Sequence, residues 1–452
     1  MKEAISMARK PDRITKIIVK GFKSIYDKQE IDIRPLTLLA GANSSGKSSI
    51  MQPVLLLKQT IEAPGDPGAL LIDGPNVRFT QADQLLSHIR GKENVAKFSV
   101  ELELQRGSRL EVTFKRDKTM GFDVASIDCS SGNNQFHITP GMSHDDIDKL
   151  LSKTLGDFIK FIKFIKLRYS KDKNELRWIV YRDRFFLIFQ MRKVEDEHPI
   201  IMFDYKNFPG SEFIPHLEGL IHLPGLRGNP RRTYAKSSWG PMFPGSFENY
   251  VASVIFHWQA KDQERLKQLG AALEDMGLTW KVTADPLDDT QVGLKVGRLS
   301  HGKQGGASDL VSIADVGFGV SQSLPVLVAL LAAKEGQVVY LEQPEIHLHP
   351  RAQRRLAHIL KHAVERGVIA IVETHSALLL KEIQVLVASG QLDKNLIKLH
   401  WFQRQEDGET IIKSAELDEN GAYGDWPEDF GEVELDAEKS YLDAVELREG
   451  IR

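Results

Sequence analysis

Residues 41–48 read Gly-Ala-Asn-Ser-Ser-Gly-Lys-Ser, a complete G-x-x-x-x-G-K-S stretch. It lies between an apolar run, Leu36–Ala40, and a segment whose Ile50, Val54 and Leu57 recur at helical spacing. A glycine-rich loop between a strand and a helix is built to hold phosphate. Its glycines let backbone N–H groups curl around anionic oxygens, and the helix start adds its dipole. The candidate binding residues are therefore Gly41, Ala42, Asn43, Ser44, Ser45, Gly46, Lys47, Ser48 and Ser49. In such loops the lysine, here Lys47, brings a point charge to the β- and γ-phosphates, and the following hydroxyl, here Ser48, ligates Mg2+.

The periodicities on either side predict a parallel sheet. Ile14–Ile25 reads as a strand and turn, and the alternation Phe98, Val100, Leu102, Leu104 predicts antiparallel strands up to Phe114. Residues 115–290 are a patchwork of short strands and polar helices. After about residue 308 the pattern becomes regular: a helix over Ser321–Ala333, a strand over Val338–Leu341, and a helix opened by Pro350 with Ala352, Leu356, Ile359, Leu360 and Ala363 on one face. Gly367 stops that helix, and a strand follows over Val368–Val372. Strand–helix–strand alternation implies right-handed βαβ units. Leu396–Gln403 and Thr410–Leu417 flank Asp407-Gly408 and predict a late hairpin.

Three further stretches carry chemistry. Val338–Glu345 ends a buried strand in Glu342-Gln343-Pro344-Glu345, the strand end where a doubly wound sheet places ligands. Glu342 is a candidate for Mg2+, directly or through water. Asp315-Val-Gly317-Phe-Gly319-Val-Ser321-Gln322 is a second glycine-rich helix start. One nucleotide needs one such loop, so Gly319, Ser321 and Gln322 are read as offered to the nucleotide of a neighbouring copy; a buried turn under the helix explains the same glycines. Glu373-Thr-His375-Ser376 puts a polar histidine at a strand end, placed to touch the γ-phosphate or position water. Gln81 is a candidate loop glutamine contacting Mg2+.

Together these elements resemble the ABC-type ATPases of the RecF, SMC and OLD kind. Val19-Lys-Gly-Phe22-Lys23-Ser24 looks like that family's opening strand-turn, GANSSGKSS like its Walker A loop and ADVGFGVSQ like a degenerate signature motif. YLEQPEIHLHP is similar to its Walker B and D-loop stretch, and ETHS to its switch histidine. A narrower resemblance, to the OLD-like group of AAA-type predicted ATPases ending in a short Trp-Pro-x-x-Phe domain, rests on Gly424-Asp-Trp426-Pro427-Glu-Asp-Phe430 and on His222-Leu-Pro-Gly-Leu-Arg227. The resemblance spans about 1–115 and 308–400. It implies an α/β fold: an ABC-type P-loop ATPase head with a mixed sheet core and an α+β insert, and ATP and Mg2+ as cofactors. It also implies a homodimer or higher homo-oligomer with a composite site, and a separate effector, a nuclease, in antiviral defence or DNA repair. The implied division is 1–115, the N-terminal half of the head; 116–305, the insert and a dimer or partner surface; 306–400, the C-terminal half; and 401–452, a short hairpin and tail domain.

Two departures bear on mechanism. Gln343 stands where the family's catalytic glutamate follows the metal-binding acid, so Glu345 or His375 is left to assist slow hydrolysis, and an ATP-gated scaffold that hardly hydrolyses is the alternative. No long coiled-coil arm interrupts the ATPase halves.

Composition bounds the remaining readings. The net charge is −3 and there is one cysteine, Cys129, so bulk charge does not favour nucleic acid and a disulfide framework is excluded. A reducing, cytoplasmic setting fits, and no apolar stretch predicts a membrane span or a signal peptide. Phe158–Arg168 sets a basic residue at every third position, a stripe for DNA phosphate or a partner, or a packed helix with solvated lysines. A direct DNA-binding repair ATPase therefore stays open. Arg227, Arg231 and Arg232 lie in a Gly/Pro-rich stretch, for phosphate or for solubility. Residues 376–452 contain no Asp-x-Asp, so nuclease activity is expected in a partner and not in this chain.

Overall fold

The structure, a computed structural model, describes residues 12–119, 121–154, 176–193, 199–202, 204, 206, 208–237, 240, 242–298, 309–424 and 439. The Phe158–Arg168 stripe and the Trp426–Phe430 element lie outside the described residues.

The strands are β1 (Ile14–Lys20), β2 (Gln29–Asp32), β3 (Leu36–Gly41), β4 (Lys97–Leu104), β5 (Arg109–Asp117), β6 (Gly121–Ser131), β7 (Asn134–Ile138), β8 (Leu176–Asp183), β9 (Phe186–Lys193) and β10 (Pro199–Met202). They continue as β11 (Ile221–Leu223), β12 (Tyr234–Ala235), β13 (Val282–Pro286), β14 (Gln291–Gly297), β15 (Leu310–Ser312), β16 (Val338–Glu342), β17 (Ile369–Thr374), β18 (Ile397–Arg404) and β19 (Thr410–Ala415). The central sheet has the order β11-β16-β17-β3-β18-β19 and is parallel except for the β18–β19 hairpin. Its inner strands are apolar on both faces, as a sheet covered on both sides requires. Leu36, Leu38 and Ala40 pack with the helices Phe318–Ala332, Pro350–Glu365 and Ala377–Ala388, while Leu39 faces the core around helix Lys47–Glu62.

That helix lies beneath a second sheet, β2-β1-β4-β5-β6-β7. The alternation of β4 turns Phe98, Val100, Leu102 and Leu104 inward. Phe98 sits 5.3 Å from Phe22, 5.1 Å from Phe114 and 5.2 Å from Phe122, an aromatic knot that ties the turn after β1 to β4, β5 and β6. Two smaller sheets, β10-β9-β8 and β12-β14-β13 with β15 on β14, complete the layers. Among the described residues the longest helices have 16 residues, no coiled-coil arm is present, and no helix is long and apolar enough to cross a membrane. The fold is α/β, with a mostly parallel central sheet and the glycine-rich loop between β3 and the helix Lys47–Glu62, as the sequence predicts.

Three sequence boundaries move. The antiparallel sheet does not stop at 115, because the inward alternation continues through Phe122, Val124, Ile127 and Cys129 of β6. The hairpin is not a separate tail unit from 401: β18 pairs with β3 from Ile397↔Leu36 to Phe402↔Gly41, a long-range pairing that local pattern does not encode. The helix expected from Ser321 begins at Phe318, capped by Gly317, so Gly319 and Ser321 lie inside its first turns.

Candidate nucleotide site

The loop after β3 needs its glycines. Gly41 has φ +147° and Gly46 φ +95°; a Cβ at Gly41 would strike the Phe402 carbonyl oxygen, and one at Gly46 the hydroxyls of Thr410 and Ser24. The hairpin secures the loop from behind. Thr410 donates its hydroxyl to the Ser45 carbonyl at 2.8 Å, lies 2.8 Å from the Ser24 hydroxyl, and donates its N–H to the Ser24 carbonyl at 2.8 Å.

The loop opens onto a cavity of about 520 Å3. Asn43, Ser44, Gly46, Lys47, Ser48 and Ser49 line it, and Gln343, Glu373 and His375 reach it from the ends of β16 and β17. Lys47 is buried and donates to the carbonyls of Gly41 at 3.1 Å and Ala42 at 2.8 Å. Burial pushes its ammonium pKa down, against the pull of Glu373 and Glu345. The Ser48 hydroxyl lies 3.0 and 2.9 Å from the two Glu373 carboxylate oxygens, and the Tyr340 hydroxyl donates to one of them at 3.0 Å. Burial, with Glu342 beside it, pushes the Glu373 carboxyl up despite those hydrogen bonds. His375 is partly buried; burial and then the neighbouring Lys47 charge lower its pKa, against a hydrogen bond to the Gly41 backbone. A hydroxyl and a carboxylate this close are hard-oxygen donors that fit Mg2+, and the loop and lysine fit a polyphosphate.

The other two candidate carboxylates are engaged elsewhere. Glu342 accepts from His222 Nε2 at 3.1 Å and from the Gly225 N–H at 3.0 Å, and among the described residues it does not line the cavity. Burial raises its carboxyl, but His222 and Gly225 outweigh burial and hold it below its ordinary value. The stability this contact contributes is present above the unfolded-state pKa and lost as pH falls through the lowered value. Glu342→Gln is therefore expected to lower unfolding stability by about 1–3 kcal/mol at neutral pH, with a smaller loss in acid. Denaturant titrations at pH 7 and pH 4 check this. Glu345 is buried, with Oε1 accepting from the Thr374 hydroxyl at 2.7 Å and the His375 N–H at 2.8 Å. It orients the end of β17 and does not face the cavity, so it is not placed to act as a base.

Gln343 does face the cavity, in a left-handed conformation with φ 44°. Its N–H donates to the Glu373 carbonyl at 2.7 Å and its carbonyl accepts from Arg227 Nη2 at 3.1 Å. Arg227 also donates to the Glu342 carbonyl at 3.3 Å; it is a buried backbone clamp and not a surface arginine. Arg232 pairs bidentately with Asp315 at 3.0 and 2.8 Å. Gln81 caps the short turn Ala82–Gln84 and does not line the cavity, whereas Gln84 does. Gly317 and Phe318 are exposed, Gly319 is half-buried, and Ser321 and Gln322 are buried just behind them. None of these five lines the cavity at Lys47; Ser321 faces a separate one of about 310 Å3 together with Arg227 and Glu248.

Sequence reasoning missed Glu373, Lys23, Gln52 and Arg404, all of which line the cavity. Lys23 donates to Gln52 Oε1 at 3.0 Å. Glu373 stood inside the quoted ETHS motif, and its adjacency to Ser48 required knowing that β17 lies beside β3.

Residues 13–208 match a family model described as "AAA ATPase domain", and residues 227–381 one described as "AAA domain, putative AbiEii toxin, Type IV TA system". No curated protein matches the chain. Similar solved structures include an Smc head bound to the C-winged helix domain of ScpA, at 12% identity and TM-score 0.47, covering 90% of this chain and 98% of that one. An SMC head domain from Thermotoga maritima is similar at 13% identity and TM-score 0.39, covering 90% and 100%. A third is an Smc head domain with an extended coiled coil bound to the C-terminal domain of ScpA, derived from Pyrococcus furiosus, at 11% identity and TM-score 0.43, covering 90% and 97%. Each family match covers less than half of the chain; together with the phosphate loop they show what this chain is similar to, P-loop ATPases of the AAA kind.

Proposed function

We propose that the chain binds ATP with Mg2+ in the Lys47 cavity, closes against a second copy that supplies its Gly319–Ser321 turn, and uses the closure to control a separate effector. That effector is proposed to be a nuclease acting in antiviral defence or DNA repair. One observation carries the reading. The cavity gathers lysine, hydroxyl, carboxylate, glutamine and histidine, yet the second glycine-rich helix start lies at the surface outside it.

Each residue's task follows from its setting. Lys47, held by loop carbonyls, is poised to exchange them for phosphate oxygens. When bound, Mg2+ neutralises charge developing on those oxygens. His375, fixed by Glu345 and the Gly41 backbone, presents an imidazole whose lowered pKa favours its neutral form. The Gln343 amide orients water without accepting its proton. This favours slow hydrolysis, and it supports the second reading, an ATP-gated scaffold.

Steady-state phosphate release from the purified chain with Mg-ATP separates the two. Measurable turnover lost on chelation is expected; nucleotide binding with no turnover supports the scaffold. Gln343→Glu places a carboxylate at the mouth and is expected to raise turnover by about 10²-fold or more where water activation limits the rate. The chain by itself is expected to leave DNA and RNA uncut under the same conditions, and Mg2+-dependent cleavage lost on mutating its own acids contradicts the partner-effector reading.

A further inference from the structure

We infer that Glu373, and not the strand-end acid Glu342, is the carboxylate that shares the divalent cation with Ser48; the inference rests on the ATP-binding reading above. The two acids stand side by side in register on β16 and β17. Their surroundings differ. Both oxygens of Glu342 are occupied, by His222 Nε2 and by the Gly225 N–H, and His222 is in turn held 3.3 Å from the Asn76 side-chain oxygen. Glu342 is thus tied to His222 on the outer strand β11 and does not line the cavity at the phosphate loop.

Glu373 has the opposite arrangement. Its hydrogen-bonding side-chain partners are two neutral hydroxyls, Ser48 and Tyr340; Lys47 attracts its charge without a direct ion pair, and it opens onto the cavity. A buried carboxylate with no cation in direct contact is costly, and a bound cation relieves that cost. The spacing suits one. The Ser48 hydroxyl lies 3.0 and 2.9 Å from the two Glu373 oxygens, close enough for both side chains to reach one cation. Tyr340 grips Oε2 from beneath and fixes the orientation of the carboxylate, the outer-sphere role that metal ligands commonly need.

The test is calorimetric titration of the full chain with a non-hydrolysable ATP analogue, in Mg2+ and in EDTA, with thermal melting to show that each variant is folded. The wild type is expected to bind about tenfold or more tightly with Mg2+, and Glu373→Gln is expected to lose nearly all of that advantage while keeping its affinity in EDTA. Ser48→Ala should behave likewise, and Glu342→Gln should retain the wild-type advantage within about twofold. If Glu373→Gln fails to melt cooperatively, Glu373→Asp is read instead, and an intermediate Mg2+ advantage is expected. The inference is overturned if the Glu373 variants keep the full advantage, if Glu342→Gln alone abolishes it, or if the wild type binds the analogue equally with and without Mg2+. A wild type that binds no nucleotide in either condition contradicts the proposed function itself.

Discussion

Lys47→Ala weakens ATP binding at least a hundredfold and leaves the fold intact. Lys47 is the first residue of the helix Lys47–Glu62, lines the cavity, and bonds two carbonyls of its own loop. A hydrogen bond to a charged group contributes about 1.5–3 kcal/mol, and two such bonds to phosphate together account for a hundredfold or more. Alanine is a better helix former than lysine and removes a buried charge, so the melting temperature should move by only a few degrees. Calorimetric titration and a thermal melt of the same sample check both halves. Wild-type affinity in the variant removes the phosphate loop from the account.

Ser321→Arg has an effect of similar size on a different quantity. It should lower turnover by about 10²–10³-fold, the cost of losing one preorganised donor to a transition-state anion, while affinity for ATP by an isolated chain stays unchanged. The helix Phe318–Ala332 begins at Gly317 with no side-chain cap, so its first N–H groups are not consumed by a capping side chain. Ser321 faces a cavity of about 310 Å3, and a thermal melt of the variant checks that the arginine leaves the fold intact. Phosphate release and binding are measured in parallel; a variant with full turnover removes the signature turn from the reaction.

Much of this architecture was legible before any coordinates. The Gly41–Ser48 spacing, the apolar Leu36–Ala40 run and the amphipathic helix after Pro350 are local patterns, and each formed where its periodicity placed it. The hairpin around Asp407-Gly408 was equally local. What stayed hidden was everything set by strand order. That β17 lies between β16 and β3 is a long-range fact, and it alone brings Glu373 to Ser48. For the same reason Glu342 read as the metal acid: its strand-end position was visible, but its capture by His222, a residue on β11 far away in sequence, was not. Thr410 behind the loop, and Arg227 beneath Gln343, are likewise products of tertiary packing.

The central claim is a site shared between two copies, and complementation by mixed subunits tests it most directly. Chains carrying Lys47→Ala and chains carrying Ser321→Arg are each expected to be inactive. Mixed one to one and allowed to exchange, half of the pairs are heterodimers, each with one cavity that has an intact lysine facing an intact signature turn. Phosphate release per chain should then recover to about a quarter of the wild-type rate, as a two-fold symmetric pair with independent sites requires. No recovery on mixing, with exchange of subunits confirmed, or full activity in either variant alone, contradicts the account.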